Sequence, residues 1–346
     1  MNYPSIPPID LSSAQKAAER QSNLTKPAKS LGRLEEISIQ LAGMKADPLP
    51  KVDRKAVIVM AADHGVALEG VSAYPPEVTS QMVHNFLHDG AAINVLARQA
   101  GASVTIVDVG VASDFDPSIA GLMRRKIAHG TRNLAKGPAM TRVEAEKAIA
   151  EGMDVLAQVA ANGLDLVATG DMGIGNTTPS SAIAAVLTGL PVASVTGRGT
   201  GVDDAGLAHK IQIIKQAIAL NQPDPRDALD VLCKVGGLEI AGLAGVMIAA
   251  AARRIPAVVD GFISTAAAMI AVGLVPDVCN YLFSAHQSVE IGHRAMLEHL
   301  GLIPLLDLNL RLGEGTGAAL AFHLIEASSR ILREMATFAE AGVSEA

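Results

Sequence analysis

Short runs of β-branched and small apolar residues alternate along this chain with longer stretches in which apolar positions recur three and four residues apart. The runs at 56–61, 103–109, 165–169, 257–260, 280–284 and, less sharply, 303–308 predict six strands. Stretches such as 77–100, 141–161 and 203–221 carry the helical spacing. This alternation predicts an α/β fold, a doubly wound and mostly parallel sheet with helices on its faces. The two ends depart from the rhythm. Residues 12–45, 287–300 and 316–338 read as helices with no obvious following strand, which predicts a small helical unit assembled from both chain ends. No fixed-period repeat, low-complexity tract or long linker interrupts the sequence.

Composition changes the picture in three places. Of 346 residues, 49% are apolar, and a mean hydropathy of +0.32 raises the question of a membrane span. The longest candidate, 240–252, is rich in Ala and Gly, stops at Arg253 and Arg254, and falls short of the roughly 18–20 residues a span needs. It predicts a buried helix instead. Neither a signal peptide nor a transit pattern opens the chain, and Cys233 and Cys279 lack metal-like spacing. A cytoplasmic protein without disulfides is therefore expected. A formal net charge of −7, aromatics at 3% and no Trp leave neither a phosphate-neutralising groove nor a stacking platform, so no nucleic-acid partner is expected.

Polar signals collect where predicted strands end: Asp63-His64-Gly65, Asp108-Val109-Gly110, 170–178, Asp260-Gly261 and 284–288. Ligands of open α/β sheets bind outside the carboxyl ends of the strands, so these signals predict one site. The strongest is Gly170-Asp171-Met172-Gly173-Ile174-Gly175-Asn176-Thr177-Thr178, between a strand and a predicted helix at 179–187. Glycines let the backbone approach a ligand closely, and free N–H groups at a helix start attract an anion. A bound phosphate is the functional reading and a ligand-free turn the plain one. Gly170, Gly175 and Thr177 fit P-loop spacing, but Asn176 stands where that motif needs lysine, and Thr178 where a dinucleotide fingerprint needs its third glycine. A phosphate monoester fits better than either. The second Gly-rich loop, Thr196-Gly197-Arg198-Gly199-Thr200-Gly201, precedes a helix that carries Lys210. Arg198 and Lys210 are candidates for the missing positive charge; each alone reads more readily as a solvated surface cation, and the case rests on two Gly-rich loops in consecutive connections of the sheet.

Glu314 lies between Gly313 and Gly315, just ahead of an Ala-rich helix. Two readings stand: a general base whose affinity for the proton is raised by an apolar surround, or a first-turn glutamate favoured by the helix dipole. His84 and His88 are four apart, but Asn85 replaces the glutamate of the zinc motif H-E-x-x-H, so no metal is expected. His64 and His286, at strand ends, are placed to touch a substrate, whereas His293 and His299 read as helix packing. Ser264 and Ser288 lack the context of a nucleophile.

Taken in order, SLGRLE (30–35), AADHGV (61–66), GDMGIGNTTPSSA (170–182), GRGTG (197–201), DGFISTAAA (260–268), SAHQSVEIGH (284–293) and LNLRLGEGTGAALA (308–321) resemble one family over nearly the whole chain. It is the nicotinate-nucleotide:dimethylbenzimidazole phosphoribosyltransferases of cobalamin lower-ligand synthesis. The resemblance implies a homodimer with a Rossmann-like six-stranded parallel sheet and a small helical domain from both chain ends. We place the boundaries at 30–286 for the large domain and 1–29 plus 287–346 for the small one. It implies transfer of ribose 5-phosphate from nicotinate mononucleotide to 5,6-dimethylbenzimidazole, giving α-ribazole 5′-phosphate and nicotinate, with no cofactor. By that resemblance Glu314 is the catalytic base. Gly173, Ile174, Gly175, Asn176, Thr177 and Thr178 hold the nucleotide together with Gly199, Thr200, Gly201 and Lys210. Ser288 lies near the nicotinate, Tyr74 and Gln81 belong to the benzimidazole pocket, and Leu312 and Gly313 also bind substrate. The family form GEMGIGNTT has a glutamate where Asp171 stands, so acidity is kept and reach is shortened by one methylene. Asp171 is a second catalytic candidate. Rival expectations are a relative that ribosylates adenine or a phenol, a Rossmann-type oxidoreductase, and a non-enzymatic nucleotide sensor.

Overall fold

The computed structural model describes residues 2–344. Seven strands form one parallel sheet: β1 (Lys55–Ala62), β2 (Ala102–Gly110), β3 (Leu122–Arg124), β4 (Leu166–Met172), β5 (Ala257–Val259), β6 (Leu282–His286) and β7 (Pro304–Leu306), in the order β3-β2-β1-β4-β5-β6-β7. All eight residues of β1 are buried, as a strand covered on both faces requires. The chain winds outward from β1 through β2 to β3, then returns to the other side of β1 as β4. The order thus reverses between β1 and β4, the point at which open α/β sheets leave a crevice outside the carboxyl ends of their strands. Six strands were expected and seven are present. The extra one, β3, is a three-residue edge strand paired only to β2, too short to leave a periodic signature.

Two helices that cover the sheet touch backbone to backbone. Arg142–Val159, started by a reciprocal Thr141–Glu144 capping box, packs on Leu238–Ala252. A Cβ at Gly152 would overlap the carbonyl oxygen of Gly242, and one at Gly245 would overlap that of Ile149. The second helix is buried from Leu238 to Ala251, as its composition predicts. Among the described residues no helix is long and apolar enough to cross a membrane.

Helices from both ends of the chain meet. Leu11–Asn23, Arg33–Lys45 and Thr316–Glu334 pack together around Ala17, Ala42 and Leu332. Arg20 ties them by donating to the carbonyls of Leu332 (2.7 Å) and Met335 (3.2 Å). Thr316–Glu334 also lies on β4, β5, β6 and β7, so the same helix that joins the chain ends carries its first turn to the strand ends. Helix Ile291–Leu300 packs instead against Thr177–Thr188 and Phe262–Leu274.

The single helix expected over 77–100 is two, Val78–Leu87 and Ala92–Gln99. Asp89 takes a left-handed φ of 59° and Gly90 follows, which ends the first helix and turns the chain. The helix expected at 179–187 begins two residues earlier, at Thr177. Pro179 does not prevent this, because N–H groups in a first helical turn need no partner within the helix.

Candidate active site

The site is built on the carboxyl ends of the central strands. Gly313, Glu314 and Gly315 take three successive left-handed conformations, with φ of 83°, 63° and 92°. Glycine does this freely; Glu314 is held there by its surroundings. Asp260, buried directly after β5, accepts the N–H groups of Gly315 (3.1 Å) and Ala318 (2.9 Å), and so clamps the start of Thr316–Glu334. The carbonyl of Glu314 passes so close to Gly170 in β4 that any side chain there would overlap it. This turn sends the Glu314 side chain inward, where it is 5% exposed and its Oε2 accepts the Ile93 N–H at 3.4 Å. That donor is available because the chain breaks at Asp89-Gly90 and starts a new helix. Glu314 lies ahead of the helix, whose N-cap is Gly315, rather than in its first turn.

Burial pushes the Glu314 carboxyl up to about 7; the Ile93 N–H opposes the rise and the charge of Asp260 adds to it. Asp171, near the end of β4, lies against the same loop, since a Cβ at Gly313 would sit 3.3 Å from both of its carboxyl oxygens. It accepts a hydrogen bond from Asn176 Nδ2 at 2.9 Å. Burial, then the charges of Asp260 and Glu239, hold Asp171 well above the usual carboxylate range, with Glu314 adding to the effect. Burial also raises Asp260, to about 6, against its backbone N–H partners and His286, whose Nε2 is 3.9 Å away. Beneath Gly173 a fully buried pair, His64 Nε2 to Glu239 Oε1 at 2.8 Å, fills the crevice floor. Burial lowers the His64 imidazole, but the charge and hydrogen bond of Glu239, with Asp63, keep it above its ordinary value.

A buried cation adjoins this group. Thr177 opens helix Thr177–Thr188, and its Oγ1 accepts from Lys210 Nζ at 2.6 Å. The Lys210 side chain has no solvent exposure. Burial lowers its ammonium to about 8, with Glu290 opposing. An ammonium has three protons to give, and Thr177 takes one. The second Gly-rich loop crosses directly over these charges: a Cβ at Gly199 would lie 3.1 Å from Lys210 Nζ, and one at Gly197 would overlap the Glu290 carboxylate. Arg198, the other candidate cation, does not join the pocket. It turns outward and pairs with Asp204 and the carbonyl of Val202.

The remaining predicted residues divide. Ile174 is buried and donates its N–H to Thr79 Oγ1 at 3.1 Å; Gly175 has φ 89°; Thr178 is buried with its hydroxyl unpartnered. Thr200 Oγ1 accepts from Ala73 N at 2.9 Å and meets Ser72 Oγ at 3.1 Å, which fastens the Gly199–Gly201 loop to the segment carrying Tyr74. Gly201 is left-handed at φ 109°. Ser288, after β6, is buried, and its N–H donates to His293 Nδ1 at 2.8 Å. Tyr74 (55% exposed), Gln81 and Leu312 (58% exposed) face outward in this chain. Four contributors escaped sequence reasoning: Asp260 as a clamp, Ile93 as a donor, Glu290, and Arg311, whose Nη1 donates to the Gly199 carbonyl at 3.0 Å. Ile93 had a local signal in the Asp-Gly break four residues ahead of it, and Asp260 one in its place at a polar strand end, but neither showed the contact it makes.

A buried lysine at a helix start near a buried carboxyl of raised proton affinity, at the switch point of a Rossmann-like sheet, suits an enzyme that handles a sugar phosphate. A family model described as phosphoribosyltransferase matches residues 6–343. Among similar proteins, one from Chloroflexus aggregans named nicotinate-nucleotide–dimethylbenzimidazole phosphoribosyltransferase is 59% identical over 340 residues, 98% of this chain and 96% of that protein. One of the same name from Geobacter sulfurreducens is 58% identical over 340 residues, again covering 98% and 96%. The crystal structure of CobT from Thermus thermophilus superposes with a TM-score of 0.93 at 49% identity, over 97% of this chain and 100% of that one. The chain belongs to the nicotinate-nucleotide–dimethylbenzimidazole phosphoribosyltransferase family and is a pentosyltransferase.

Proposed function

We propose that this chain transfers the ribose 5-phosphate of nicotinate mononucleotide to 5,6-dimethylbenzimidazole in the nucleotide-loop branch of cobalamin synthesis, acting in the cytoplasm as a homodimer. The observation that carries the reading is the Glu314 carboxyl, buried and raised to about 7, next to the 170–178 turn. In the substrate, nicotinate is attached as an N-glycosidic pyridinium. When the C1′–N bond breaks, the electron pair returns to a pyridine nitrogen, so the leaving group needs no proton. The acceptor is different: one azole nitrogen attacks C1′ while the other must lose its proton, and Glu314 takes it. Attack from the face opposite nicotinate converts the β-glycoside to α.

Phosphate binding aligns the sugar. Lys210 and the Thr177 N–H at the start of Thr177–Thr188 hold the phosphate, and Gly199, Thr200 and Gly201 close over it. Burial and the surrounding carboxylates favour the protonated form of Asp171, which lessens the negative charge it sets beside Glu314. Tyr74, Gln81 and Leu312, outward in one chain, line the acceptor side once a second copy covers them. Incubation with nicotinate mononucleotide and dimethylbenzimidazole, followed by chromatography and NMR, is expected to yield free nicotinate and an α-linked ribotide in equal amounts. Nicotinate release without ribotide would mean hydrolysis, and no release would reduce the protein to a binder.

A further inference from the structure

Ser288 is held by a hydrogen-bond relay whose protons can be assigned without ambiguity. Thr265 Oγ1 donates to the Gly261 carbonyl at 2.8 Å, one turn back in helix Phe262–Leu274, and this uses its only proton. The contact between Thr265 Oγ1 and His293 Nε2, 2.9 Å, must then be a donation from the ring N–H. That leaves His293 Nδ1 as an acceptor, and the Ser288 N–H fills it at 2.8 Å. Each step fixes the next, so the imidazole has one tautomer and one orientation. Burial, together with nearby His286, lowers the His293 imidazole to about 3, which keeps it neutral as the relay demands. The ring is wholly buried, and Ser288 is fastened besides by Glu290 N donating to its Oγ at 3.3 Å.

We propose that His293 is a positioning residue: through Nδ1 it sets the backbone of Ser288 and thereby aims the Ser288 hydroxyl at the leaving-group end of the nucleotide. This rests on the reading, given above, that Ser288 lies beside the nicotinate. A histidine used merely as apolar filling would not need its polar atoms matched in this order. It would also be replaceable by an aromatic ring of similar shape.

Steady-state kinetics of Ser288→Ala, His293→Phe, the double variant and His293→Asn test this in the full chain. Phenylalanine keeps the ring and loses the acceptor; the asparagine carbonyl oxygen occupies nearly the place of Nδ1. Ser288→Ala and His293→Phe are each expected to raise KM for nicotinate mononucleotide roughly tenfold, the size of one lost hydrogen bond, with kcat changed little. The double variant should be no worse than either, and His293→Asn should restore most of the affinity. A raised KM in Ser288→Ala with a normal KM in His293→Phe overturns the positioning role alone, as do additive effects in the double variant. A normal KM in Ser288→Ala sinks the underlying placement of Ser288. If His293→Phe does not fold, Thr265→Val removes the acceptor of the ring N–H while keeping the ring. It is expected to raise KM in the same direction, and an unchanged KM there also overturns the proposal.

Discussion

Replacing Glu314 by glutamine should stabilise the protein while disabling it, and the stabilisation should depend on pH in a defined way. In the unfolded chain this carboxyl titrates near 4.5; in the folded protein burial raises it to about 7. Its folded-state value is the higher one, so folding favours the protonated form. The associated stability is complete below about 4.5, declines as pH rises between the two values, and is gone above about 7. At about 1.36 kcal/mol for each tenfold change in proton affinity, ionised Glu314 costs the folded state roughly 3 kcal/mol at pH 8. Glutamine keeps an acceptor for the Ile93 N–H and carries no charge at any pH. Denaturant unfolding of both proteins at intervals from pH 5 to 9 should show Glu314→Gln gaining relative to the parent until about pH 7.5 and holding steady above. Over the same range the parent's kcat/KM should fall about tenfold for each pH unit below 7, as the base becomes protonated. Unfolding curves that keep a constant separation across the range would refute the claim that this carboxyl is desolvated, and with it the reason Glu314 is a base at neutral pH.

Lys210→Met should raise KM for nicotinate mononucleotide by roughly 10- to 100-fold, the range for losing a charge-assisted hydrogen bond, and kinetics at fixed acceptor concentration will show it. In the unaltered protein the same KM should climb above about pH 8, where the buried ammonium loses its proton. Gly152→Ala should cost several kcal/mol or prevent folding, because the new methyl would overlap the Gly242 carbonyl; the unfolding midpoint is the measurement. Asp171→Asn keeps a neutral hydrogen-bonding group and should retain more than a tenth of kcat, whereas Asp171→Leu should not; equal losses would show that the polar contact with Asn176 is immaterial.

Elements with a repeating pattern were readable in the chain, and so was the side of the sheet on which the candidate residues collect. The Gly-rich turn at 170–178 announced its helix N-terminus through its own residues, and Lys210 announced a cation. What could not be read is whatever depends on two distant segments touching. Gly170 looks like part of a phosphate loop, yet its lack of a side chain makes room for the backbone of Glu314. Gly197 and Gly199 likewise look like loop flexibility, but they stand where a side chain would strike Glu290 or Lys210. Asp260 reads as a polar strand end; only the fold shows it gripping residues 315 and 318. The edge strand Leu122–Arg124 has no pattern of its own and exists because β2 offers it a partner.

The short strand β5 supports more than its three residues suggest. Asp260, just past its end, secures the turn that carries Glu314, and the next residue, Gly261, begins the chain of contacts that ends at Ser288. With Ser288 and Glu314 in the roles proposed for them, departing and arriving rings are surveyed from a single benchmark in the interior. Tyr74 and Gln81 lie on an outer segment with no such attachment to β5. Substitutions there can retune which ring is admitted while the distance between proton acceptor and sugar stays as it was.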